Sequence, residues 1–132
     1  MVKMGKLAIV LASGELEKVQ AASIIASVAS TLGTEVLIFA TMDGLMAFKK
    51  DVVEKKAWKM GELGKGMVEK GAPLFIDTLK QAKEVGNLKI YACGMIMDML
   101  GLSLDEFVDV FDDVVGVSEF LGMVEDAKVL FI

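Results

Sequence analysis

The sequence predicts one α/β domain built on a five-stranded, mainly parallel sheet with helices on both faces. Three observations carry this. Apolar runs recur at 6–11, 34–40, 88–92, 113–115 and 128–132, and the first has no polar alternation, as expected of a strand covered on both faces. Helix-length segments separate the runs, in the spacing of successive strand–helix–strand units with right-handed crossovers. A chain of 132 residues can bury one core, not two, so 1–132 is read as a single domain.

In order along the chain, Lys6–Leu11 is the first strand and Ala12-Ser13-Gly14 the turn after it. Glu15–Leu32 reads as a long helix whose small residues, Ala21, Ala22, Ala26 and Ala29, permit close approach to a sheet. Gly33 is placed to cap its end. Thr34–Ala40 is the second strand, followed by Thr41-Met42-Asp43-Gly44 and a short helix from Leu45 to about Lys50. Residues 51–70 combine scattered lysines, Trp58, Met60, Met67 and three glycines, which predicts a flap or excursion rather than a core layer. Pro73 opens the next helix, which runs to Gly86. Leu88–Ala92 is the third strand, and a short helix follows from Met95 to Leu100 before Gly101. Glu106–Val110 reads as another helix, Asp113–Val115 as the fourth strand, Val117–Asp126 as a helix and Lys128–Ile132 as the last strand. The sum is a three-layer α/β/α domain of flavodoxin-like type; strand order is left open.

Composition removes several function classes. There is no His, so imidazole bases, His-containing triads and most zinc sites are excluded. All 14 basic residues are Lys and the net charge is -5, a poor basis for binding nucleic acid. One cysteine forms no internal disulfide, which points to a reducing, cytoplasmic setting. The N-terminal apolar run is too short to span a membrane and weak as a leader. A 55% hydrophobic composition is high for a lone domain. Buried parallel strands account for it equally well as subunit contacts, and a homo-oligomer (dimer, trimer or hexamer) is expected.

Cys93 is the centre of the chemical reading. It ends the third strand and precedes Gly94, at the carboxyl edge where parallel sheets place their crevices. Helix-terminal N–H groups beyond Gly94 are expected to favour the thiolate. A buried, inert thiol is the competing reading. Without a second cysteine, any sulfur or redox cycle needs a partner's thiol. Ser13-Gly14 and Asp43-Gly44 occupy the equivalent ends of the first two strands and are candidate site-lining residues, with Gly94 and Met95. They carry no nucleotide fingerprint, and plain turn residues describe them as well. Met95, Met97 and Met99 suit either core filling or an adaptable contact surface, and no metal site is assigned. Residues 49–70 hold seven lysines against four acids, while 105–126 hold eight acids and no lysine. These are two solvated faces, or a basic flap that gathers an anionic partner.

The segment Ile90-Tyr91-Ala92-Cys93-Gly94-Met95-Ile96-Met97-Asp98-Met99-Leu100-Gly101 resembles the DsrE/DsrF-like sulfur-relay family, most closely its branch labelled peroxiredoxin-like. The segments Lys6–Gly14 and Phe39–Leu45 fit the same pattern, so the resemblance spans essentially the whole chain. It implies a three-layer fold, oligomeric assembly, and a cysteine, here Cys93, that accepts sulfur as a persulfide and passes it to small sulfur-carrier proteins. No cofactor is implied. Gly94 and Ile96 depart from relatives that carry Ser or a similar polar residue there. A non-enzymatic ligand-binding or assembly module with a structural Cys93 is the alternative, and a thiol peroxidase the third reading.

Overall fold

The structure is a computed structural model that describes residues 5–132. Met1–Met4, part of the N-terminal segment weighed above as a leader, lie outside the described residues. Five strands form one sheet in the order β4-β3-β2-β1-β5: β1 Lys6–Leu11, β2 Glu35–Ala40, β3 Leu88–Cys93, β4 Asp113–Val115 and β5 Lys128–Phe131. All four pairings are parallel. The chain steps outward from β1 to β4, and β5 then returns to the free side of β1.

That path decides the helix layers. Right-handed crossovers put helices that join strands stepping one way on one face, and the return crossover on the other. Helix α1 (Leu16–Thr31) and helix α5 (Phe75–Val85) accordingly pack against each other. The register places Ile9, Ile38 and Ile90 side by side beneath them, each at most 1% exposed. Helix α7 (Val117–Met123) makes the return crossover and packs on the opposite face. There Phe120 stacks on Phe39 with ring centroids 4.7 Å apart. Gly33 ends the α1 turn at φ 98, the left-handed geometry that glycine adopts without steric cost.

The segment after β2 forms an excursion outside the core layers, as expected, but it is more helical than its glycines suggest. It folds as α2 (Met42–Met46), α3 (Lys50–Lys55) and α4 (Glu62–Glu69). Trp58, within that segment, is 7% exposed inside its own chain, without a neighbouring subunit. Its indole N–H donates to the Ala47 carbonyl at 3.0 Å, and its ring meets Phe75 edge-on. An unbroken row of aromatic contacts runs from Trp58 through Phe75, Phe48 and Phe111 to Phe107. Long-range aromatic packing, invisible to a local periodicity argument, therefore anchors the glycine-rich stretch to the core through Trp58, while α3 has no buried residue and α4 only Gly64. The expected helix at 106–110 is instead a single 3-10 turn, Leu104–Glu106, closed by a reciprocal Ser103–Glu106 capping box.

Glu17 of α1 holds this excursion down. One carboxylate oxygen accepts the N–H groups of Gly61 at 2.8 Å and Gly64 at 2.9 Å, satisfying the start of α4. A Cβ on Gly64 would lie 2.9 Å from the same carboxyl group, so glycine permits the approach. These bonds, that of Gly64 foremost and Glu17's own N–H next, hold the Glu17 carboxyl below its ordinary 4.5, against an opposing contribution from burial. A depressed carboxylate stabilises the fold above its unfolded pKa and loses that contribution as pH falls through the folded value. The amide proton shifts of Gly61 and Gly64 should therefore titrate together, with one midpoint below 4.5. Independent titrations, or none, would contradict the clamp.

Candidate functional site

Cys93 closes β3, paired in register with Val115 of β4. Strand alternation turns it to the face that carries Tyr91, Phe39 and α7. Burial, and then the nearby Asp112 charge, raises the Tyr91 pKa above its ordinary 10.0, so its hydroxyl stays protonated at neutral pH. Cys93 is itself the N-cap of α6 (Gly94–Leu100), at extended φ -70 and ψ 113. The sulfur-bearing residue is 0% exposed, so the thiol lies beneath the surface rather than in an open crevice. Gly94 is half-buried, and a Cβ there would meet the Val115 carbonyl oxygen at 3.3 Å. Around this edge the apolar side chains of Met95, Met99 and Leu100 are exposed.

The neighbouring strand end carries backbone strain. Met42, two residues past the end of β2, adopts φ 51, a left-handed conformation that costs a non-glycine residue about 1 kcal/mol or more. It opens α2, which packs against β3. Strained backbone thus sits on the element beside the strand that presents the cysteine.

Ser13, Gly14 and Asp43 do come together. They line one cavity of about 380 Å³ with Glu15, Met46, Ala47, Val52, Ala57, Trp58 and Lys59. Gly44 is buried instead, with its N–H donating to the Ala12 carbonyl at 3.0 Å. Cys93, Gly94 and Met95 do not line this cavity, and α2 stands between it and β3. Glu15, Met46, Trp58 and Lys59 carry no sequence signal that marks them as lining residues. Trp58 and Lys59 reach the cavity only because the excursion folds back, where the Lys59 carbonyl accepts the Leu16 N–H at 2.9 Å. No spacing signal marks that contact.

Across residues 5–131 the chain matches the family described as DsrE/DsrF-like. The chain belongs to the DsrE/DsrF-like family. This DsrE/DsrF-like protein is also 33% identical to the "Uncharacterized protein YrkE" of Bacillus subtilis (strain 168), with 94% of each chain covered. Among solved structures it is similar to the protein of unknown function MTH1491 from Methanobacterium thermoautotrophicum, at a TM-score of 0.54 and 14% identity. That likeness covers 98% of this chain and 100% of the other, and it shows the fold alone. Family membership and the single cysteine support a sulfur-relay role in general terms. Among the described residues, no helix is long and apolar enough to cross a membrane.

Proposed function

We propose that this DsrE/DsrF-like protein carries sulfane sulfur as a persulfide on Cys93, between a persulfide donor and a small sulfur-carrier protein. The observation that supports this is the position of its one cysteine, at the end of β3 within the segment that resembles the family's cysteine motif. In the first step the Cys93 thiolate attacks the outer sulfur of a donor persulfide. A bond forms between the Cys93 sulfur and the sulfane sulfur, the donor's S–S bond breaks, and the donor leaves as a thiolate. In the second step the acceptor's thiolate attacks that same sulfane sulfur, and Cys93 leaves as a thiolate. No net oxidant or reductant is consumed.

Complete burial of the thiol means that both steps need an opening at the sheet edge. A buried persulfide is in turn shielded from stray thiols while it is held. The decisive measurement is the intact mass after incubation with a sulfane-sulfur donor. A gain of about 32 Da is expected in the native chain and none in Cys93→Ser. The same burial favours a second reading, a ligand-binding module with a structural cysteine. No adduct on the native chain, with Cys93 inert to alkylating reagents, would establish that reading and end the first.

The proposed assembly is a homo-oligomer. The sheet face covered by α7 is only partly filled: Val129 is 54% and Phe131 75% exposed on β5, with Leu121 of α7 at 59%. A second copy would bury these side chains and cover the free edge of β5. Light scattering should give a multiple of 14.2 kDa, reduced by Phe131→Lys. A monomer mass for the native chain would overturn the assembly.

A further inference from the structure

We propose that the cavity beside Trp58 binds a free α-amino acid, separately from any chemistry at Cys93. Charge composition carries the argument. Glu15, Asp43 and Lys59 all line this cavity, and among the described residues none of the three forms an ion pair with another side chain. Two carboxylates and one ammonium around a single concavity repel phosphates and nucleotides. They suit a small ligand that carries both signs. An α-ammonium group offers three N–H donors to Glu15 and Asp43, and the adjoining α-carboxylate accepts from Lys59. The remaining wall, formed by Met46, Val52 and Trp58, is apolar and takes a short hydrophobic side chain. A volume of about 380 Å³ lies at the small end of ligand pockets, as a single amino acid requires.

The walls are held in place before any ligand arrives. Trp58 is fixed by its bond to the Ala47 carbonyl and by its edge contact with Phe75, 5.5 Å between centroids. The Lys59 backbone is tied to the first residue of α1, and the Ser13 hydroxyl accepts the Glu15 N–H at 3.2 Å. Gly14 keeps the junction of the two loops bare, since a Cβ there would stand 2.6 Å from the Asp43 carbonyl oxygen. A site whose backbone is already set loses little ordering entropy on binding. The cavity also opens at the carboxyl ends of β1 and β2, the edge at which parallel sheets bind ligands.

Trp58 is the only tryptophan and lines this cavity, so its fluorescence reports binding there. Titration of the full chain with L-methionine should change the emission saturably, with half-saturation at about 1 mM or below. Lys59→Gln and Asp43→Asn, both at exposed positions, should each weaken binding by about tenfold while leaving the melting temperature in place. Acetate and methylammonium, each given alone at the same concentration, should leave the emission unchanged. Cys93→Ser should bind as the native chain does, which keeps this site separate from the persulfide reading. No saturable change up to about 10 mM would overturn the proposal. So would a full response to either single ion, or unaltered affinity in both charge variants.

Discussion

Gly44→Ala should destabilise the protein by about 3 kcal/mol, a large loss for a helix glycine. Ala is normally the better helix residue, by up to about 1 kcal/mol. Here the Cβ would lie 2.2 Å from the Leu11 carbonyl oxygen and 2.7 Å from its carbon. Both are backbone atoms at the end of a central strand, and they cannot swing aside as the tip of a side chain would. Relief requires separating α2 from β1, which breaks the bonds from the Thr41 N–H to the Leu11 carbonyl and from the Gly44 N–H to the Ala12 carbonyl, each 3.0 Å. Gly66→Ala is the matched control. It lies within α4, has open space at its Cβ position, and should be neutral or mildly stabilising. Denaturant unfolding of the two variants compares them directly. Equal stabilities would show that α2 does not approach β1 as closely as described.

Phe48→Ala should cost about 4 kcal/mol and lower the melting temperature by roughly 15 °C. Phe48 is 0% exposed at the middle of the aromatic row, 5.1 Å from the Phe75 ring and 5.2 Å from that of Phe111. It links three regions distant in sequence: the excursion after β2, helix α5, and the loop before β4. Its backbone reinforces the link, since the Phe48 carbonyl accepts the Val108 N–H at 2.9 Å. Truncation removes the ring's burial and leaves a cavity that rigid neighbours fill only in part. The effect should also reach Trp58, whose emission in the folded variant should shift as Phe75 relaxes. A loss near 1 kcal/mol, with Trp58 unperturbed, would mean that the row is not continuous.

The strands were legible because their signal is local. Unbroken apolar runs such as Lys6–Leu11 need only their own residues to be read, and β4 at Asp113–Val115 stands where its pattern places it. The family was legible for a related reason: the segment from Ile90 to Gly101 is contiguous and contains the only cysteine. The helices within residues 51–70 were not legible because Gly61 and Gly64 serve packing against Glu17 rather than irregularity. Gly64 reads as a breaker until α1 is set beside it.

By itself, the sequence determined a parallel α/β fold of DsrE/DsrF-like kind, with its single cysteine at the carboxyl end of a strand. The tertiary structure decided the rest. It set the order β4-β3-β2-β1-β5, buried Cys93 completely, and separated that cysteine from the cavity that Ser13, Gly14 and Asp43 share with Trp58 and Lys59. The physical reason is range. Strand and helix periodicities are properties of neighbours in the chain, whereas burial and cavity lining depend on contacts such as that of Leu16 with Lys59, which exist only once the layers have closed.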